Sequence, residues 1–96
     1  MSFYMDDVYE INKRIRLLRD ALGMGRQAFA DKTGLKKQTV ENIEREAQKV
    51  NGEQLKAIGN NWPEYKHWLA WGEVLPEAGQ ISPELEETRV NLRTGT

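Results

Sequence analysis

The chain has 96 residues, of which 39% are apolar and 30% are charged, and its formal net charge is -1. This length supports one domain with one core, and the composition is that of an ordinary globular protein. The absence of cysteine excludes disulfides and thiolate zinc sites. The start, MSFYMDDVYE, lacks a basic region leading into an apolar run, and no stretch is apolar enough to span a bilayer, so we expect a soluble, cytoplasmic protein with no membrane partner.

Apolar spacing predicts an all-α, compact domain of five helices over residues 1–72. The first helix is expected to be capped by Asp6 or Asp7 and ended by Gly23. Helices two to four are expected at residues 26–33, 37–46 and 52–60, and the fifth begins at Pro63 and stops at Gly72. The inner stripe of the first helix recurs at three- and four-residue spacing and comprises Val8, Ile11, Ile15, Leu18 and Leu22.

The second and third predicted helices carry the spacing of a helix-turn-helix, a motif that binds DNA. Ala30 supplies a small side chain where two steeply crossing helices approach, and Gly34 suits the positive φ that the turn requires. Val40 and Ile43 lie three residues apart and face inward, opposite Phe29. The spacing therefore predicts a DNA-binding domain whose third helix is the recognition helix.

The charges are distributed unevenly along the chain. Residues 1–12 carry three acids and no base, residues 13–49 carry ten Lys or Arg against five Asp or Glu, and residues 50–96 carry four against seven. The basic part coincides with the helix-turn-helix, as expected for contact with phosphates. Without the motif, the same charges would indicate only a solvated helix surface.

Beyond Gly72 the pattern changes to two very short extended segments around a turn, and residues 73–83 are expected to form an extended segment or β-hairpin. The segment packs either on its own domain or against a second chain, and the nearby tryptophans favour the second arrangement, although all three could be core. Residues 84–96 are polar, and we expect a disordered tail. The expected homodimer interface comprises Trp68, Trp71, Val74, Leu75 and Ile81.

The stretch RIRLLRDALGMGRQAFADKTGLKKQTVENIERE resembles the helix-turn-helix domain of the Cro and lambda-repressor superfamily, and the resemblance runs from about Arg14 to Trp71. The segment YKHWLAWGEVLPEAGQISPEL is similar to the end of the short, single-domain C-type immunity repressors of certain temperate phages, which dimerise through their C-terminal part. The resemblance implies a dimeric phage or prophage repressor. It also implies that Arg19 and Glu44 form a structural pair between the first and third helices, with phosphate contact as the alternative for Arg19.

Exposed residues of the third helix are the candidates for contacts with DNA bases. Gln38 and Asn42 can each form paired hydrogen bonds with the N6/N7 edge of adenine, and Lys37 suits guanine. Lys36 suits either a base or a phosphate. Glu41 can accept from cytosine or pair with Lys37 one turn away.

Candidates for phosphate contact begin at the amino end of the second helix. Arg26 and Gln27 lie where exposed N–H groups and the helix dipole favour an anion. Gly25 and Lys36 stand where the superfamily often has a capping Ser or Thr, and lysine cannot accept a hydrogen bond from a backbone N–H. Further candidates are Lys32, Arg45 and Lys49.

Other classes of protein have little support in the sequence. The chain has one histidine, His67, which we assign to a helix surface or interface, so we expect no catalytic residue, metal site, cofactor or small-molecule substrate. The expected function is sequence-specific regulation of transcription by a homodimer on a double-stranded DNA operator. The alternative is an antitoxin that represses its own operon and binds a toxin protein.

Overall fold

The computed structural model describes residues 7–93, and over this range the chain is all-α, as predicted. No strand occurs among these residues, and Leu75 and Gln80 form an isolated antiparallel bridge. Two short 3-10 turns occupy Pro63–Tyr65 and Pro76–Ala78. In this part of the chain the six α-helices are α1 (Glu10–Ala21), α2 (Arg26–Thr33), α3 (Lys37–Glu44), α4 (Gly52–Asn61), α5 (Lys66–Trp71) and α6 (Pro83–Arg93).

Helix α1 begins later than the sequence predicts. Its N-cap is Tyr9, whose backbone N–H donates to the Asp7 carboxylate at 2.9 Å, so Asp7 holds the turn before the helix rather than capping it. Val8 precedes the helix and is 59% exposed, which corrects its assignment to the inner stripe. Asp6, the other predicted cap, lies outside the described residues.

Helices α2 and α3 form the predicted helix-turn-helix, and a residue with a small side chain, Ala30, lies buried in α2. Its carbonyl accepts a hydrogen bond at 2.8 Å from the N–H of Gly34. Gly34 has φ 82°, a left-handed conformation that disfavours residues with a Cβ. The turn therefore brings the buried side chains of Val40 and Ile43 onto the core side of α3.

One core joins the helices. Phe29 of α2 is fully buried and stacks on the indole of Trp62, with ring centroids 5.3 Å apart and planes 5° from parallel. Within residues 7–93, the other buried apolar side chains come from α1 to α5, from the first 3-10 turn and, for Ile81, from the loop before α6. They are Ile15, Leu18, Ala30, Val40, Ile43, Ile58, Tyr65, Trp68, Leu69 and Ile81.

The segment after Gly72 folds back on its own domain rather than forming the expected hairpin. The side-chain amide of Gln80 donates to the Pro63 carbonyl at 3.0 Å and accepts from the His67 N–H at 2.9 Å. The N–H of Ile81 donates to the Glu64 carbonyl at 2.9 Å, and Ile81 is only 6% exposed. These bonds pair backbone carbonyl and N–H groups at and before the start of α5. The segment therefore finds its hydrogen-bond partners within its own domain and does not require a strand from a second chain.

Helix α6 corrects the prediction of a disordered tail over residues 84–93; residues 94–96 lie outside the described range. Ser82 accepts from the N–H of Leu85 through its hydroxyl at 3.1 Å, and Pro83 occupies the first turn, where its missing N–H has no cost. Leu85 packs against the core. This start signal outweighs the sparse apolar periodicity on which the prediction of disorder rested.

Candidate nucleic-acid interface

The outer surface of α3 presents the residues predicted to contact bases. Lys36, Lys37 and Gln38 are exposed, whereas Glu41 and Asn42 are partly buried. The Lys37 ammonium lies 3.8 Å from the Glu41 carboxylate one helical turn away, which supports the pairing alternative for Glu41.

A shallow groove beside α3 brings predicted base and phosphate contacts together. Its lining residues are Arg26 of α2, Gln38 and Glu41 of α3, and Arg45 directly after α3. Two guanidinium groups, one carboxamide and the Glu41 carboxylate therefore share a single open surface, on which the arginines suit a phosphate backbone and Gln38 suits an adjacent base.

Three other candidates for phosphate contact lie outside this groove. The Gln27 amide donates to Asp31 at 2.9 Å within α2. Lys32 and Lys49 are exposed, and neither has an ion-pair partner within residues 7–93. The structure leaves these two ammonium groups accessible but does not bring them to the groove.

Glu44, at the end of α3, joins α1, α2 and α3 through its carboxylate. Arg19 donates from Nε to Oε2 at 2.6 Å and from Nη2 to Oε1 at 3.0 Å, and Arg26 donates from Nε to Oε1 at 3.0 Å. The Glu44 side chain is 2% exposed. Arg19 also donates to the Met24 carbonyl at 2.8 Å, so its guanidinium faces the protein. This geometry agrees with the structural role that the resemblance implies for Arg19 and Glu44.

The same carboxylate orients Arg26 toward the groove. Glu44 engages only Nε of Arg26, and the Arg26 side chain remains 43% exposed. The terminal nitrogens are therefore free of this contact and can bind a phosphate in a forked geometry. Burial raises the pKa of the Glu44 carboxyl, but hydrogen bonds from Arg19 and Arg26 outweigh it, so the pKa lies below its ordinary value.

Asn42 lies at the centre of a hydrogen-bonded chain along α3. Its Oδ1 accepts from Nε2 of Gln38 at 3.1 Å and from Nη2 of Arg45 at 2.7 Å. Its Nδ2 donates to Oε1 of Gln48 at 3.4 Å. Both ends of the Asn42 amide are thus engaged within the protein, whereas Gln38 keeps its carbonyl oxygen and one N–H for other partners.

Asn12 is a positioning residue that the sequence prediction missed. It is buried in α1, where Nδ2 donates to the carbonyls of Ile43 at 3.0 Å and Gln48 at 2.7 Å, and Oδ1 accepts from the N–H of Val50 at 3.2 Å. These bonds fix the loop after α3, in which Glu46 has φ 60°. The available signal was a single Asn within an otherwise apolar stripe, since buried polar groups are generally hydrogen-bonded.

The N-terminal ends of α2 and α3 have no side-chain caps. Gly25 and Lys36 occupy the N-cap positions in extended conformations, and neither makes a capping hydrogen bond through its side chain. The start of α3 is thus at the predicted residue despite the absence of a capping acceptor. The first-turn N–H groups of both helices are not occupied by a cap and are suited to an anion.

The predicted dimer interface divides into buried and exposed residues. Trp68 and Ile81 are 7% and 6% exposed and belong to the core of their own chain, which corrects their assignment to an interface. Trp71, by contrast, is 71% exposed, and Val74 and Leu75 are also exposed. Only the last three are accessible to a second chain.

Residues 7–93 contain neither a cluster of metal-binding side chains nor a helix suited to cross a membrane. No group of three or more His, Cys, Asp or Glu side chains in this range could hold a metal ion. His67 is partly buried, with Nε2 3.8 Å from the Glu73 carboxylate. None of the helices there has both the length and the apolar character needed to cross a bilayer.

Comparison with known proteins agrees with this geometry. Residues 15–60 match a protein family model described as helix-turn-helix. The matched range contains α2, α3 and the groove between them, and it supports a place for this segment in the helix-turn-helix superfamily and a role in DNA-binding regulation of transcription. None of the curated proteins compared with the chain matches it.

Proposed function

We propose that this protein is a sequence-specific repressor of phage or prophage type that binds a DNA operator as a homodimer. The observation that carries the proposal is the open groove in which Arg26, Gln38 and Arg45 converge beside the exposed surface of α3. The similarity of the segment from Tyr65 onward to short phage immunity repressors supports the finer assignment.

In the proposed complex, α3 enters the major groove with Val40 and Ile43 turned to the core. Gln38 contacts adenine through its carbonyl oxygen and its remaining N–H. Arg26 and Arg45 bind the flanking phosphates, which fixes the register without selecting a sequence. Repression follows from occupancy of the promoter, so the mechanism needs no catalytic group.

A homodimer would present two recognition helices to one side of the duplex. Half-sites in such a complex are expected about 34–36 Å apart, one turn of the double helix. The exposed apolar residues Trp71, Val74 and Leu75 show that the chain retains apolar surface beyond its own core.

Selection of bound sequences from random double-stranded DNA tests this function directly. We expect enrichment of a defined half-site that occurs twice in inverted orientation. Gln38→Ala provides the control, because it should lose the preference at one position in each half-site while the others persist. A pool that shows no enriched sequence after several rounds would overturn the proposed function.

A further inference from the structure

An apolar groove lies between α1 and α6 and is separate from the groove beside α3. Its volume is about 440 Å³. Leu17 of α1 and Leu22, directly after that helix, line it together with Tyr65 and Trp68. Leu17 is 54% exposed, so part of the apolar lining is open to solvent.

The groove faces away from the proposed DNA contact. Ile15 and Arg19 of α1 are buried on the side that packs toward α3, where Arg19 binds Glu44. Leu17 is two residues from each of them and points to nearly the opposite side of α1, and no residue that lines this groove also lines the groove beside α3. An occupant of the groove would therefore leave α3 free for DNA.

One edge of the groove is acidic. Glu84, Glu86 and Glu87, from the first turns of α6, line this edge. Glu86 lies 3.8 Å from Arg93, whereas Glu84 and Glu87 have no ion-pair partner within the described range. Burial and, to a smaller extent, the carboxylates of Glu64 and Glu86 raise the pKa of the Tyr65 hydroxyl at this edge.

The C-terminal half of α6 is basic, in contrast to the acidic first turns. Arg89 and Arg93 are its two basic residues, and the apolar side chains of Val90 and Leu92 are exposed beside them. Leu92 is 73% exposed, so the apolar surface of this half is accessible to a second chain. The chain thus contains a cationic, apolar segment whose charge complements its own acidic groove.

We propose that two copies of this chain pair through α6 in antiparallel orientation, with the basic, apolar half of each helix lying in the acidic, apolar groove of the other copy. An antiparallel alignment that sets Glu84 against Arg93 of the second copy also brings its Arg89 within one residue of Glu87. Because both contacts repeat under a two-fold axis, the interface is closed and self-complementary. This inference rests on the homodimer of the proposed function and assigns the surface that joins the two copies.

The exposed apolar residues around Trp71 fit the same groove less well than the C-terminal half of α6 does. Glu73 lies between Trp71 and Val74, and Glu77 follows Leu75 by two residues, so like charges would meet at the acidic edge. The charge pattern therefore favours the C-terminal half of α6.

Charge reversal with sedimentation equilibrium tests the pairing in the absence of DNA. One variant combines Glu84→Lys with Glu87→Lys, and the other combines Arg89→Glu with Arg93→Glu. Each variant alone should dimerise at least about tenfold more weakly than the wild type, because like charges then face each other. An equimolar mixture of the two should restore association as a heterodimer, which a general loss of folding could not produce.

Two further variants complete the experiment. Glu53→Lys with Glu77→Lys makes the same change in net charge at exposed positions away from the groove and should leave association unchanged. Leu17→Ser should weaken it. The proposal is overturned by a monomeric wild type, by a mixture that does not associate, or by dissociation in Trp71→Gln but not in the charge variants. A chain that pairs through α6 but selects no DNA sequence would overturn the proposed function alone.

Discussion

The carboxylate of Glu44 accepts two hydrogen bonds from the guanidinium of Arg19, at 2.6 and 3.0 Å, and thereby links the end of α3 to α1. The same carboxylate holds Nε of Arg26 at 3.0 Å. One almost completely buried group therefore contributes to the stability of the domain and to the position of a proposed phosphate contact.

Removal of this carboxylate should destabilise the domain. Glu44→Ala leaves the Arg19 guanidinium without its partner, and we expect a loss of about 3 kcal/mol in the free energy of unfolding. Urea unfolding monitored by circular dichroism measures the loss. Glu41→Ala is the matched control, since Glu41 forms a partly exposed pair with Lys37, and it should cost about 0.5 kcal/mol. Full stability of Glu44→Ala would contradict the structural role.

Acid should lower the free energy of unfolding, in part because it protonates the Glu44 carboxylate. Its pKa is lower in the folded chain than its ordinary value of 4.5, so the stability it contributes is complete above that value and is lost as the pH falls through the folded value. Urea unfolding at several pH values between about 3 and 6 should show a steeper acid-side fall for the wild type than for Glu44→Gln. Parallel curves for the two proteins would exclude this contribution.

Gln38 and Arg26 should differ in how they affect DNA binding. Gln38→Ala should weaken binding to the selected operator by about 1–3 kcal/mol and relax the preference at one base pair. Arg26→Ala should weaken binding to operator and random DNA similarly and lower the slope of affinity against salt concentration. Fluorescence anisotropy at several salt concentrations separates the two effects. An equal loss on operator and random DNA for Gln38→Ala would contradict its role in base contact.

Asn42 should act through Gln38 rather than on a base of its own. Its amide already bonds Gln38, Arg45 and Gln48, so Asn42→Ala should relax the preference at the same base pair as Gln38→Ala. The double variant should then lose less affinity than the sum of the single losses. Relaxation at a different base pair, with additive losses, would instead show that Asn42 contacts a base directly.

The helix-turn-helix was predictable because its constraints are local. The small Ala30, the positive φ of Gly34 and the inward side chains of Val40 and Ile43 follow from spacing within a few residues. Helix α6 was not predicted, although its signal was also local. The signal lay in Ser82 and Pro83 at the start of the helix, whereas the prediction weighed only the sparse apolar periodicity that followed.

Contacts between distant parts of the chain were not predictable from patterns. Trp68 and Ile81 have the same apolar character as Trp71 and Leu75, and only the packing of α5 and the path of the chain after Gly72 determine which of them enter the core. Asn12 likewise binds carbonyl groups 31 and 36 residues away. Sequence alone indicated which residues are apolar and which are polar, but not which partners would satisfy them.

The sequence by itself determined the helix-turn-helix, the location of the basic segment and the identity of the candidate base contacts, because each depends on residue type and short-range periodicity. The tertiary structure alone decided that Glu44 holds both Arg19 and Arg26, that Asn42 bonds Gln38 within the protein, and that the acidic half of α6 borders a groove. These are relationships between side chains brought together by packing, and their distances are set only when the core forms.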